Sequence, residues 1–333
     1  MSCIDVAWNP LRAKQRVAIP VLVALALWAF AWPAARTAPR DVPIGIAGPA
    51  SATAQLEQGF EQREGAFDVH RYDDEAAART AIEGRVVYGA VVVTAEGPRL
   101  LTASAASPVV AQLLREAVTS QAPAGTQVHA ADVVPTPAGD PRGSALAASI
   151  LPLALAGMAA GAVVTLMKLR GARAATALIG AAALVGITAA ALADSWLGVL
   201  GGPWWTEAGV LGLTVLAIGA AVSGLAALIG TPGLGLGGLL MVLIGNPFSG
   251  AASAPELLPD PAGLIGQWLP PGAGATLLRS VSYFDGSAAG SAVLTLSLWA
   301  ALGLAAVLAG GRRRRGRPVA TAEHRAAEPV PVG

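Results

Sequence analysis

The chain has 333 residues, of which 54% are hydrophobic and 13% charged, about half the charge density of an ordinary soluble domain. With 22 basic against 21 acidic residues and a net charge of +1, both a simple soluble enzyme and a disordered chain are excluded. Cys3 is the single cysteine, and His70, His129 and His324 fall in separate segments. No intrachain disulfide, thiolate metal cage, metal site, cofactor site or catalytic residue is therefore expected. The surplus of apolar residues calls for a bilayer, and the fold class expected is an α-helical polytopic membrane protein with an inserted α/β domain.

A bilayer core about 30 Å thick needs about 20 apolar residues at helical rise. Residues 1–16 carry Arg12, Lys14 and Arg16 and precede a first predicted span at 17–35. Basic residues, a short apolar run and the small residues around Ala31–Ala35 also resemble a secretory signal peptide. Cleavage there would leave the later spans oriented as before.

Residues 36–143 change period. Val42–Gly48 reads as a strand, and Ser51 can cap a helix to about Glu64. Phe67–Tyr72 is the next strand, followed by a helix over Asp74–Arg85. Val86–Thr94 is almost continuous in apolar β-formers, as in a strand buried on both faces. Arg99–Ala105 forms its hairpin partner, a third helix runs from Ser107-Pro108 to about Gln121, and Val128–Val134 closes the unit. The expected order is β-α-β-α-β-β-α-β, folding on its own before the Pro/Gly linker at 135–143. Asp73, Asp74 and Glu75 read as a helix cap, and His70 with Asp68 as a solvated pair on one strand face.

The remaining predicted spans are 145–167, 174–193, 208–230, 231–248 and 288–311, the third and fourth of these divided by Gly230-Thr231-Pro232-Gly233. Lys168, Arg170 and Arg173, and then Arg312, Arg313, Arg314, Arg315 and Arg317, fall on the same side of this six-span arrangement as the N-terminus. Short basic connections stay cytoplasmic, which puts both termini, including the basic tail 312–333, in the cytoplasm of a multi-pass protein of the cell membrane. Six of the eight tryptophans, Trp28, Trp32, Trp196, Trp204, Trp205 and Trp268, land at the opposite boundary. Amphipathic rings sit there at headgroup level.

All formal charges lie outside the spans or at their ends, which disfavours proton-coupled transport. ATP hydrolysis within the chain is excluded, since a phosphate-binding loop needs Gly-Lys-Ser/Thr, and the two lysines follow Ala13 and Met167. No nucleic-acid partner is indicated. Gly157 with Gly161 and Gly233 with Gly237 have helix-packing spacing. The segment 246–286 alternates prolines and glycines with apolar clusters too short to span. It reads either as a re-entrant or interfacial element over the bundle, or as an ordinary outer loop on lipid headgroups. On the first reading Asn246, Pro247, Trp268, Pro270, Pro271, Arg279, Tyr283 and Asp285 line a substrate path. Arg279 then pairs with Asp285 or Glu256, the alternative being a side chain that snorkels to lipid phosphate.

Two stretches, FDVHRYDDEAAARTAIEGRVVYGA at Phe67–Ala90 and Asn246–Gly286 with NPFSG, LPPGAG and LLRSVSYFDG, complete a familiar pattern. One span, a large outer α/β domain and five further spans with a re-entrant segment before the last resembles the permeases of the ABC type 2 transporter superfamily. The likeness is greatest to the bacterial branch that includes the phage infection protein. The resemblance implies a dimeric permease subunit in contact with membrane lipid, driven by a separate ATPase to export drugs, polysaccharides or lipid-linked molecules. Such members usually carry an amphipathic helix before the first span and a cytoplasmic docking loop. This chain offers only Ser2–Arg16 and Lys168–Arg173, which keeps open a non-transporting envelope protein or surface receptor whose outer domain binds a partner.

Overall fold

The computed structural model describes residues 10–94, 97–121 and 129–315, with side chains described at all of these except 10–18, 121 and 311–315. Cys3, Val128, Arg317, His324 and the rest of the predicted tail lie outside the described residues. So do the side chains of Arg12, Lys14, Arg16 and Arg312 to Arg315.

In chain order the elements are α1 (Pro10–Ala35), β1 (Val42–Ala47), α2 (Ala50–Glu61), β2 (Phe67–Tyr72), α3 (Glu75–Glu83), β3 (Gly89–Thr94), β4 (Gly97–Thr102), α4 (Pro108–Gln121) and β5 (His129–Asp132). Then follow α5 (Ser144–Leu166), α6 (Ala172–Ala190), α7 (Trp204–Ile229), α8 (Pro232–Leu239), α9 (Ala262–Gln267), α10 (Pro270–Tyr283) and α11 (Gly290–Arg315). Helix α6 continues into a π-helical turn at Ala191–Trp196, and α8 into another at Leu240–Gly245.

Among the described residues, four helices are long and apolar enough to cross a membrane: Ser144–Leu166, Ala172–Trp196, Trp204–Ile229 and Gly290–Gly310. Of the two other expected spans, the first lies in α1, whose side chains are described only from Ile19 onward, and the second is a shorter apolar helix, Pro232–Gly245. The second comprises 8 α-helical and 6 π-helical residues, about 21 Å at ordinary rise against a core of about 30 Å. The chain continues from it as a turn, because Asn246-Pro247 interrupts the helix before Phe248.

Helix α7 is the hub of the helical bundle. Two thirds of its most apolar window is buried, against about one third for the other three long helices, and α5, α6, α8, α10 and α11 all pack on it. Glycines make the approaches close. A Cβ at Gly186 of α6 would lie 2.4 Å from Ala208 O, one at Gly161 of α5 2.7 Å from Gly219 O, and one at Gly303 of α11 2.4 Å from Ala220 C. Gly157, Gly233 and Gly237 also face α7, where an added Cβ would meet Ile218, Leu225 and Val222. The outward faces are left with exposed Leu151, Leu184, Leu294 and Leu302, as expected of surface that meets lipid rather than water.

The five-stranded sheet has order β2-β1-β3-β4-β5, with β1, β2 and β3 mutually parallel and the β4–β5 pair running opposite to them. Its elements follow the expected β-α-β-α-β-β-α-β order. Central β3 is buried over Gly89–Val92. One face packs Ile44, Ile46 and Leu100 under Phe60 of α2 and Leu114 of α4, the other packs Ala90, Val92 and Leu101 under Ala78 and Ile82 of α3. Asp74 caps α3 by accepting from Ala77 N at 2.8 Å. Ser51 does not cap α2, which starts one residue earlier behind Pro49 with no side-chain cap. His70 and Asp68 meet at 3.1 Å on the surface.

The stretch expected to be a stiff Pro/Gly linker is also anchored by a side chain. Asp140, 7% exposed, accepts from Ser144 N and Ala145 N at 3.0 and 2.7 Å. It thereby caps the first turn of α5 and fixes the sheet unit to the bundle at that corner.

Candidate functional site

The segment 246–286 closes the gap between the bundle and the sheet, and its composition explains how. Where two backbones cross at van der Waals distance there is no room for a side chain. A Cβ on Gly266 would fall 1.7 Å from Phe248 O, and one on Gly272 2.2 Å from Gly266 O. Pro270 and Pro271 occupy the first turn of α10, where an amide hydrogen would have no helical partner, and both are buried. The result is a compact knot of a 3-10 turn at Pro255–Leu257, then α9 and α10.

The knot enters both halves of the molecule. Ala254 and Leu257 are part of the core on one face of the sheet, and Phe284 is part of the core on the other. Ala38 N donates to Leu257 O and Arg40 N to Glu256 O, both at 3.0 Å, which extends the contact along the chain entering β1. Ala273, Ala275, Leu277 and Leu278 of α10 belong instead to the core of the helical bundle. The sheet core is therefore completed by residues more than a hundred positions downstream, which corrects the expectation of a unit closed within residues 36–143.

Polar side chains cross the same junction. Arg85, in the turn after α3, donates to Thr276 O at 3.2 Å and to Ser280 Oγ on α10. Its guanidinium lies 5.3 Å from the centre of the Phe284 ring, a cation–π distance. Tyr88 OH donates to Glu256 Oε2 at 2.8 Å. Burial, and secondarily the charge of Arg279, lower the Arg85 pKa to about 10. Burial first, then Glu256, push the Tyr88 phenol upward.

Arg279 sits in this junction, 5% exposed. Its Nη2 donates to Ala251 O at 2.9 Å, and no carboxylate lies within 4 Å of it among the described residues. The expected ion pair with Asp285 or Glu256 is thus replaced by a strut from α10 to the preceding loop. Asp285 is exposed, at φ 49° just after the end of α10, so the turn carries it away from the buried helix face. Glu256 is held by Tyr88. Snorkelling to lipid is likewise ruled out for Arg279 by its burial.

The other expected site residues separate into three places. Tyr283 donates to Val199 O at 2.7 Å, tying α10 to the connection between α6 and α7, and burial raises its pKa to about 12. Trp268 is 67% exposed and lines an apolar groove of 480 Å³ between α7 and α11, while its carbonyl accepts from Trp299 Nε1 at 2.8 Å. Asn246 and Pro247 line a separate cavity of 340 Å³ against Phe30, Pro33 and Thr37 at the end of α1. Arg279, Tyr283, Pro270 and Pro271 share one helix; the others do not converge with them.

Two further features carry no sequence signal that periodicity detects. Arg85 and Tyr88 bracket the entry to β3, where the sequence shows only a turn and an apolar strand. Glu207, in the first turn of α7, is fully buried. Its Oε1 accepts from Gly202 N at 2.8 Å, whereas Oε2 has no hydrogen-bond partner. It lies at a helix end, as the expectation for charges required, yet inside the protein.

Among the described residues no group of three His, Cys, Asp or Glu side chains could hold a metal ion. The arrangement is one of mechanical linkage: a helix gripped by the bundle on one side and by the sheet on the other. No family model, curated protein or solved structure matches this chain.

Proposed function

We propose that this protein is the membrane permease subunit of an ABC type 2-like exporter, moving a drug-like, lipid-linked or envelope molecule outward with energy from a separate ATPase. In this reading α1, α5, α6, α7, α8 with its π-helical turn, and α11 are six spans. The sheet unit stands on the extracytoplasmic side, both termini are cytoplasmic, and two copies form the working unit.

The observation that carries the proposal is the double grip on α10. Its buried residues lie in the bundle core, while Arg85 and Phe284 bind its far end to the sheet. A helix rearrangement driven from the opposite face would move the sheet unit with it, which is what gating or handing off a substrate requires. Charge supports the orientation, because Lys168, Arg170 and Arg173 lie at the end of the bundle away from the sheet.

One observation favours the second reading, a non-transporting receptor whose outer unit binds a partner. The connection between α5 and α6 is a five-residue turn, Met167–Gly171, which leaves little surface for an ATPase to dock on. Purification of the intact chain from its native membrane in mild detergent distinguishes the two. An ATP hydrolase that co-purifies, and whose activity responds to Arg85→Leu, supports the exporter; a preparation without ATP hydrolysis refutes it in favour of the receptor.

A further inference from the structure

The end of the bundle away from the sheet carries a concavity of its own. The turns between α5 and α6 and between α7 and α8, with the side of α11, enclose a notch of 330 Å³. Its polar lining is Thr165, Lys168, Arg170, Ser223 and Thr231, and its walls include Val164, Leu169 and Val307.

Three features give the notch a positive field. Lys168 and Arg170 have no carboxylate within 4 Å among the described residues. Every described acid lies in the sheet unit, in the connections at the sheet end of the bundle, or, as Asp194 and Glu207 do, in the helix ends that meet those connections. Helix α6 begins at this end of the bundle, at Ala172, with no side-chain cap from the residue before it, so the positive end of its dipole lies here.

The local backbone shows that Lys168 holds an unusual position. Lys168 N donates to Thr165 O at 3.0 Å and Leu169 N to Val164 O at 3.1 Å, the two bonds of a Schellman turn ending α5. Leu169 packs against Val164, the hydrophobic contact that accompanies this motif. The left-handed residue of the motif is usually glycine, and here it is lysine at φ 57°. A cation thus occupies a site where the backbone alone would favour Gly.

From this we infer that the notch seats the phosphodiester head group of an anionic phospholipid, independently of whether the protein transports anything. The notch is too small for an element of another protein. Its apolar walls continue toward lipid-facing helix surfaces, which suits a head group attached to acyl chains better than free phosphate. Basic pockets between membrane helices are a recurrent setting for such head groups.

The test uses the purified full chain in neutral detergent, with phosphatidylglycerol and phosphatidylcholine of identical acyl chains and retained lipid read by native mass spectrometry. Phosphatidylglycerol is expected to bind more tightly. Lys168→Gly should weaken it about fivefold, the effect of one surface charge, while leaving phosphatidylcholine binding unchanged and the thermal midpoint equal or higher. Arg170→Gln should act similarly, and Arg115→Gln, on the exposed face of α4, should do nothing. Equal binding of the two lipids by the parent, a preference that survives both notch variants, or displacement of phosphatidylglycerol by millimolar inorganic phosphate would each overturn the inference.

Discussion

If the sheet core is completed from outside, removing one contributed side chain should loosen the sheet while sparing the bundle. Leu257 is 1% exposed and packs in the core formed by Ile44, Phe60, Leu100 and Leu114. Its replacement by alanine removes three carbons from a filled site and costs about 2–5 kcal/mol. At 1.36 kcal/mol per tenfold, the opening equilibrium of the sheet rises between about thirtyfold and several thousandfold. Hydrogen exchange on the full chain in detergent reads this directly: amides of β1, β3 and β4 should exchange faster by that factor, while those of α7 hold their parent rates. Leu264→Ala is the matched control, since that side chain belongs to the same segment but is 59% exposed. Unchanged β1 and β3 exchange in Leu257→Ala, or an equal acceleration in Leu264→Ala, would refute the claim that this segment completes the core.

Two further outcomes are expected. Tyr283 has its pKa raised to about 12 in the folded chain, above an unfolded value of about 10, so its contribution is fully present below pH 10 and is lost as pH rises through about 12. The parent melting temperature should therefore fall more steeply than that of Tyr283→Phe across this window, and parallel curves would contradict the buried phenol. In a Cys3→Ser background, a membrane-impermeant thiol reagent on intact cells should label Gln112→Cys, exposed on α4, and leave Ala172→Cys, exposed at the start of α6, unlabelled. The reverse pattern would invert the proposed orientation.

Much of this molecule is encoded over short stretches. The four apolar helices follow from uncharged runs of about 20 residues, and the strand and helix alternation from Val42 to Asp132 from periods of 2 and 3.6 within a dozen residues. These patterns need no knowledge of the partner surface. Gly157, Gly161, Gly233 and Gly237 were visible as spacing, whereas Gly186 and Gly303, which approach α7 as closely, were not, because which glycine faces a neighbour depends on the neighbouring backbone.

The junction was not legible in the same way. Segment 246–286 has no period, because its prolines and glycines answer to backbones it crosses, such as Phe248 O above Gly266. Sequence proximity suggested a carboxylate for Arg279, yet α10 aims that side chain at Ala251 O while Asp285 leaves in a left-handed turn. Arg85 meets Ser280 and Tyr88 meets Glu256 across 195 and 168 positions. Local periodicity specified which residues become strand and helix, because those choices are settled by neighbours along the chain. Which buried polar groups find partners, and that the sheet shares its core with the bundle, is settled by surfaces that exist only once the chain has folded.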